Sequence, residues 1–144
     1  ETRVKVPLLI RHPRVSATTV DHLVAVNLDL GPTLMDIAGG VFAGGQGMAL
    51  PPFGKETRRF VISESIYSPW YKAAIYDERF VYHFCCGYDP STQTVQLNQV
   101  RSQELFERHA DDPRDECTSS YPETAAQMHE RLLDHVRQYE VASY

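Results

Sequence analysis

The chain opens with a short apolar run. Val4–Ile10 is rich in β-branched and aliphatic residues and is followed by Arg11, His12 and a proline. Such a run, bounded by polar and proline residues, is typical of a buried β-strand. An unpaired strand exposes backbone N–H and C=O groups, so residues 4–10 would favour self-association through this edge.

The segment Asp29–Gly39 has the spacing of an amphipathic helix. Leu30, Leu34 and Ile37 recur at intervals of three or four residues, which places them on one face. A side-chain carboxylate can accept hydrogen bonds from the N–H groups of the first turn, so Asp29 is predicted as the N-cap. A proline in the first turn and a Gly-Gly pair at the end complete the pattern.

The remaining pattern predicts a glycine- and proline-rich loop, several strands and one final helix. Strands are predicted over Arg59–Glu64, Tyr71–Tyr76, Arg79–Phe84 and Glu104–Glu107, the middle two forming a hairpin. Ser120 and Glu123 have capping-box spacing at the start of a helix. Its apolar stripe, predicted to face the core, consists of Tyr121, Ala125, Met128, Leu132, Val136 and Tyr139.

The order of these elements predicts an α+β fold in two parts. Residues 1–55 would supply a terminal strand, a helix and a loop to an α/β layer. Residues 56–144 would form a small antiparallel sheet packed on the C-terminal helix. The sequence contains no internal repeats.

Composition narrows the classes of function. The chain has 14 basic and 19 acidic residues and a net charge of −5, so binding to nucleic acid through phosphate neutralisation is not expected. No apolar run approaches the roughly 20 residues that span a bilayer, so no membrane span is expected. Three cysteines, two of them adjacent, can form one disulfide at most, which slightly favours a cytoplasmic location and leaves the compartment open.

Catalytic constellations are incomplete in this sequence. His129 and His135 lie six residues apart on the predicted helix, so their rings face different sides and they are interpreted as solvated residues rather than a metal pair. Cys85 and Cys86 end a predicted strand and are typical of small buried residues. No catalytic residue and no metal site is therefore predicted in the chain.

Tyr67 and Trp70 are candidate binding residues. They flank Ser68-Pro69 in a predicted loop, where amphipathic aromatic side chains could line a pocket or an interface. The alternative interpretation is packing within the sheet.

Three stretches together resemble the sulfatase family of the alkaline phosphatase superfamily. Residues 1–13 read E-T-R-V-K-V-P-L-L-I-R-H-P, residues 21–39 read D-H-L-V-A-V-N-L-D-L-G-P-T-L-M-D-I-A-G, and residues 104–116 read E-L-F-E-R-H-A-D-D-P-R-D-E. Their order and spacing are similar to those of the C-terminal part of a sulfatase. The resemblance implies that the chain is a C-terminal segment of a hydrolase that cleaves sulfuric esters.

The resemblance also implies where the chemistry resides. The family's C-x-P-x-R motif, its formylglycine and its Ca²⁺ or Mg²⁺ ion would belong to an N-terminal catalytic part of the same protein. This chain would then hold no cofactor and be inactive alone. The stretch Cys117-Thr-Ser-Ser-Tyr121 is similar to the motif in its first residue, but Ser119 replaces Pro and Tyr121 replaces Arg. The similarity is therefore interpreted as coincidental.

The implied role of this chain is to complete the fold and to shape the substrate mouth. Arg11, His12, Tyr67 and Trp70 are the substrate-binding candidates, for a small-molecule sulfate ester. Two alternatives stay open. One is a segment of a phosphonate or phosphate ester hydrolase of the same superfamily. The other is a non-catalytic interaction module that uses the surface from Tyr67 to Trp70.

Overall fold

The computed structural model describes residues 8–13, 15–17, 19, 23–55, 57–112 and 114–140. The chain divides into two compact units, Glu1–Val61 and Ile62–Tyr144. Helix α1, Val26–Ile37, belongs to the first unit. Strands β1 (Val61–Tyr67), β2 (Trp70–Tyr76), β3 (Phe80–Asp89) and β4 (Thr94–Glu107) and helix α2 (Pro122–Glu140) follow. The predicted α+β class is confirmed, whereas the assignment of residues 1–55 and 56–144 to two parts of a larger fold stays a prediction.

Helix α1 begins three residues earlier than the sequence pattern predicts. Ala25 is the N-cap, and Asp29 lies inside the helix, where its carboxylate accepts a hydrogen bond of 2.8 Å from the Ala25 N–H. The proline predicted in the first turn, Pro32, lies in the interior. The helix ends at Ile37, two residues before the predicted end, and the predicted glycine stop follows: Gly39 has a φ of +74°, and Gly40 donates its N–H to the Met35 carbonyl.

The residues that α1 buries differ from those on its predicted apolar face. The residues it buries are Asp29, Pro32 and Thr33. Of the predicted apolar face, Leu30 and Leu34 are exposed, Leu34 with 56% of its surface, and Ile37 is half-buried. Within the described part of the first unit, the leucine face of α1 therefore has no apolar layer against it.

Only the last three residues of the strand predicted for Val4–Ile10 are described. Residues 8–10 have no regular secondary structure and are exposed, and residues 4–7 lie outside the described part. Strand geometry needs a partner for its backbone hydrogen bonds, and residues 8–10 pair with no described strand. The prediction of a strand is therefore wrong for residues 8–10.

The second unit is built on a sheet with the strand order β1-β2-β3-β4. The predicted hairpin is confirmed: β2 pairs antiparallel with β3, and Tyr76 lies opposite Val81. Asp77 closes the turn, because its carboxylate accepts hydrogen bonds from the Arg79 and Phe80 N–H groups. Strand β4 pairs antiparallel with β3 and begins at Thr94, ten residues before the predicted start.

Helix α2 covers one face of this sheet. Of its predicted stripe, the fully buried members are Ala125, Met128, Leu132 and Val136. They pack against residues that alternate along the strands, among them Tyr71, Ala73, Ile75, Tyr82 and Phe84. The side chain of Tyr139 lies outside the described part.

The start of α2 differs by one residue from the predicted capping box. The carbonyl of Tyr121 accepts the hydrogen bond from the Ala125 N–H, so Tyr121 rather than Ser120 precedes the first helical residue, Pro122. Neither described helix has the length and apolar composition that crossing a membrane requires.

Candidate functional site

Two of the four candidate binding residues lie in the first unit. Arg11 is exposed, and His12 is half-buried. The His12 ring meets the Phe53 ring edge-on, with 5.3 Å between centroids and an interplanar angle of 89°. Phe53 thereby fixes the direction of His12. The proposed role of both residues in binding stays a prediction.

The other two candidates flank the turn between β1 and β2. Tyr67 ends β1 and keeps 73% of its surface exposed, whereas Trp70 begins β2 and is half-buried. The guanidinium carbon of Arg101 lies 4.5 Å from the centroid of a Trp70 ring. A guanidinium over an indole face is attracted by the ring quadrupole, so Arg101 and Trp70 form one surface feature.

Arg101 is a residue that the sequence analysis missed. It lies in the polar half of β4, where no strand is predicted. The sequence therefore gives no cross-strand partner for it. The signal available was the alternation of Val95, Leu97 and polar residues after Thr94, which is typical of a half-buried strand.

The most deeply buried charge in the described residues of the first unit is Asp29. Its carboxylate accepts hydrogen bonds from Arg58, with 2.9 Å from Nε to Oδ2, and 2.9 Å from the Met48 N–H to Oδ1. Arg58 also donates to the Gln46 carbonyl at 2.7 Å. Burial alone would raise the pKa of Asp29, but the donors Arg58, Met48 and Ala25 together hold this pKa below its usual value.

This ion pair ties α1 to the glycine-rich loop. Thr33 strengthens the connection, because its hydroxyl accepts a hydrogen bond of 2.8 Å from the Leu50 N–H. Gly47 lies so close to α1 that an added Cβ would be 2.0 Å from the Leu28 carbonyl oxygen. Pro32 has no N–H to give to that carbonyl, and the absence of a Gly47 side chain allows the loop to lie beside it. The arrangement is structural, and the Asp29 oxygens are already engaged.

The two helical histidines are not simply solvated, which corrects their interpretation from sequence. His129 is half-buried, and its Nδ1 lies 3.0 Å from the Tyr82 hydroxyl. Burial raises the pKa of Tyr82 to about 12. His135 Nε2 lies 3.0 Å from a Glu64 oxygen, and the Tyr71 hydroxyl donates to the other oxygen of Glu64. These contacts tie α2 to the sheet.

The three cysteines are free thiols in structural positions. Cys85 and Cys86 are buried in β3, as predicted, and Cys117 is half-buried in the turn before α2. Burial and the nearby carboxylates of Glu116 and Glu107 raise the pKa of the Cys117 thiol, so it is held as the less nucleophilic neutral form.

The divalent cation implied by the resemblance does not fit the donors present. Within the described ranges, no group of three or more His, Cys, Asp or Glu side chains is arranged to hold a metal ion. The described residues therefore provide no catalytic step through such an ion.

Comparisons with known proteins agree on one family. A 39-residue stretch is 46% identical to N-acetylglucosamine-6-sulfatase from Homo sapiens, and the enzymes of Capra hircus and Bos taurus match equally well. The solved structure of a 2-O GAG sulfatase superposes on 85% of this chain with a TM-score of 0.64 and 25% identity. The chain is similar to the C-terminal portion of sulfatases.

The sulfatase-like chain matches only part of these proteins. The aligned stretch is 27% of this chain and 7% of each curated relative, and the superposed region is 27% of the solved chain. No protein-family model matches the chain. This partial coverage is consistent with a fragment of a larger protein.

Proposed function

We propose that this chain is the C-terminal segment of a sulfatase-type hydrolase, inactive alone, that completes the fold of a longer protein and shapes its substrate mouth. The matched proteins are named as sulfatases of N-acetylglucosamine and of a GAG. A sulfate ester of a sugar is accordingly the proposed substrate. The formylglycine and the Ca²⁺ or Mg²⁺ ion would belong to the N-terminal catalytic part.

The observation that carries this proposal is the exposed apolar surface of the first unit. Along α1 and the following loop, Leu30, Leu34, Met35, Val41 and Phe42 are exposed, and Val41 retains 86% of its surface. An amphipathic helix normally turns such residues towards a core. Several exposed apolar side chains on one helix and the following loop favour a surface that other protein covers. The proposed cover is the N-terminal catalytic part of the same protein.

The proposed contribution to the substrate mouth comes from binding residues rather than from catalytic groups. Tyr67 and Trp70 lie at a strand-to-strand turn, where recognition residues are commonly held by a rigid sheet. Arg11 and His12 are proposed as further contacts from the first unit. The proposed inactivity of the isolated chain rests on the resemblance, which assigns the nucleophile to the N-terminal catalytic part.

One substitution tests the proposed docking in two contexts. Leu34→Asp places a charge on the exposed face of α1, so in the isolated chain it should leave the circular dichroism unchanged and reduce self-association in analytical ultracentrifugation. In the longer protein the same charge would be buried, which should cost at least about 2 kcal/mol of stability and abolish sulfate-ester turnover.

Asp36→Asn is the matched control, because Asp36 is an exposed residue of the same helix two positions from Leu34, which places it on the other side of the helix. It should leave both proteins unaffected. A longer protein that tolerates Leu34→Asp would contradict the proposed docking and favour the interaction module. Turnover of phosphate esters in place of sulfate esters would instead favour the phosphoryl alternative.

A further inference from the structure

The face of the sheet opposite α2 carries a cluster of polar and aromatic residues at one end. Trp70 lies opposite Gly87 in the β2–β3 pairing, and Gly87 lies opposite Gln96 in the β3–β4 pairing. Directly opposed residues of antiparallel strands point to the same face. Because their neighbours Tyr71 and Cys86 face the core under α2, this row faces the other way.

Irregular pairing in β4 brings more side chains to this place. Gly87 and Cys86 are adjacent in β3, but their partners in β4 are Gln96 and Val100. Three residues, 97–99, therefore bulge between those partners. Cys85 pairs with Ser102 and Cys86 with Val100, so Arg101 is an extra residue that forms a second bulge. Bulges redirect side chains and are frequent beside functional sites.

Gly87 provides the room that these side chains occupy. An added Cβ at this position would lie 2.8 Å from the Gln96 side-chain oxygen, 2.9 Å from that of Gln99 and 3.2 Å from the Gln99 Cβ. Both amides therefore lie over the glycine, beside Trp70. A close approach of side chains to backbone is one reason for glycine inside a strand.

The cations of this cluster lack acidic partners. Arg101 is exposed and held over the Trp70 ring, and no other described residue forms a hydrogen bond or ion pair with its guanidinium. Lys72 is exposed one row along on the same face and is likewise unpaired among the described residues. Three other arginines of this unit are bound to carboxylates: Arg79 to Glu107, Arg114 to Asp112 and Arg137 to Asp134.

The described carboxylates of this face are engaged or further away. Asp89 lies beyond Gly87 along β3, and its carboxylate accepts hydrogen bonds from the Ser91 N–H and hydroxyl. Glu104 lies two rows from Trp70, opposite His83. An arginine left unpaired in a chain of net charge −5 is suited to an anionic ligand rather than to an internal ion pair.

We propose that Trp70, Arg101, Gln96, Gln99 and Lys72 form an anion-binding subsite for a sulfated sugar. The guanidinium of Arg101 would bind one sulfate group through two N–H donors. Arginine is planar and can donate two parallel hydrogen bonds to one anion, which lysine cannot do. The Gln96 and Gln99 amides would bind neighbouring sugar hydroxyls, and Lys72 would contribute a second charge. The choice of a sugar as the ligand rests on the proposed function, which this subsite extends. The choice of an anion rests on the geometry of the cluster.

Binding to a heparin tetrasaccharide, measured by isothermal titration calorimetry on the full 144-residue chain, tests the subsite without any turnover. Arg101→Ala should weaken binding at least tenfold, because a charge-assisted hydrogen bond contributes about 1.5–3 kcal/mol and tenfold is about 1.4 kcal/mol. Arg101→Lys should recover only part of the loss. Gly87→Ala keeps every charge but displaces the two amides, so it should also weaken binding.

Arg114→Ala is the matched control, since it removes one exposed arginine from the same unit and should leave the affinity unchanged. The N- and O-desulfated tetrasaccharide should bind at least tenfold more weakly. An equal loss in Arg114→Ala and Arg101→Ala, equal binding of the desulfated probe, or no binding at all would overturn the subsite.

Failure of the subsite is distinguishable from failure of the proposed function. Sulfate-ester turnover by the longer protein with no tetrasaccharide binding to the subsite would reject the subsite alone. Arg101-dependent binding in a protein that hydrolyses no sulfate ester would retain the anion site and reject the hydrolase.

Discussion

Arg101 lies over the indole of Trp70, 4.5 Å from a ring centroid, although the intervening strand β3 separates their two strands. The contact is available because Gly87, between them, has no side chain, and because Arg101 is an extra residue in β4. The pair joins a residue that sequence reasoning identified to one that it missed.

The Asp29–Arg58 ion pair should stabilise the first unit. Asp29→Asn removes the charge but keeps the shape, and it leaves a nearly buried Arg58 without its partner. Breaking a buried pair from one side typically costs about 3–5 kcal/mol. The expected result is an equivalent loss of hydrogen-exchange protection in α1. Asp36→Asn, at an exposed position of the same helix, should cause no such loss, and an equal loss would contradict the assigned role.

The same carboxylate should make the first unit sensitive to acid. The pKa of Asp29 is lowered in the folded state, so its contribution is complete above the usual value of 3.8 and is lost as the pH falls below it. The opening free energy of α1 should therefore decrease as the pH falls below 3.8. Asp29→Asn should flatten this decrease, as measured by hydrogen exchange or by NMR across the titration. An unchanged slope in the variant would show that other groups cause it.

Close packing at Gly47 should make this position intolerant of a side chain. Gly47→Ala places a Cβ 2.0 Å from the Leu28 carbonyl oxygen, which is backbone and moves only with the helix. Such overpacking costs about 1–3 kcal/mol. Gly40→Ala is the comparison, since its nearest atom, at 2.6 Å, is the flexible end of Met35. Thermal unfolding should show a clear loss for Gly47→Ala and a smaller one for Gly40→Ala, and the reverse order would refute the packing argument.

Tyr82 should remain neutral well into the alkaline range. Burial raises its pKa to about 12, so the folded state keeps the phenol protonated above the ordinary value of 10.0. A raised phenol pKa gives stability that is complete below pH 10 and is lost between about pH 10 and pH 12. Tyr82→Phe should reduce that alkaline loss and cost about 1 kcal/mol at neutral pH through the missing hydrogen bond to His129. An ultraviolet titration in which all eight tyrosines ionise together near pH 10 would contradict the raised pKa of Tyr82.

The parts of the fold that the sequence predicts are those in which a local pattern and the final packing agree. The β2–β3 hairpin and the α2 stripe meet their core partners within the second unit, so alternation and helical spacing identify both. Most of strand β4 is missed by the sequence prediction, because its glutamines and bulges interrupt the simple alternation of apolar and polar residues after Thr94. The buried residues of α1 differ from those predicted because Asp29 and Thr33 bind the loop, and hydrophobic spacing does not encode such hydrogen bonds.

Of the candidate site, sequence reasoning identified the aromatic residues and missed the cation. Tyr67 and Trp70 are recognisable in the sequence as aromatic residues beside a turn. Arg101 cannot be recognised in this way, because its position depends on an irregularity in the pairing of another strand. Such a relationship depends on strand pairing and is absent from local composition.

The central claim is that this chain is one segment of a longer sulfatase-type hydrolase. The most direct test combines the sequence of the full transcript in the source with the intact mass of the protein made there. The account predicts a longer precursor that carries C-x-P-x-R, followed by metal-binding carboxylates, upstream of Glu1. A mature product of only 144 residues would contradict it, and an upstream Thr or Ser nucleophile without that motif would assign the protein to phosphoryl chemistry instead.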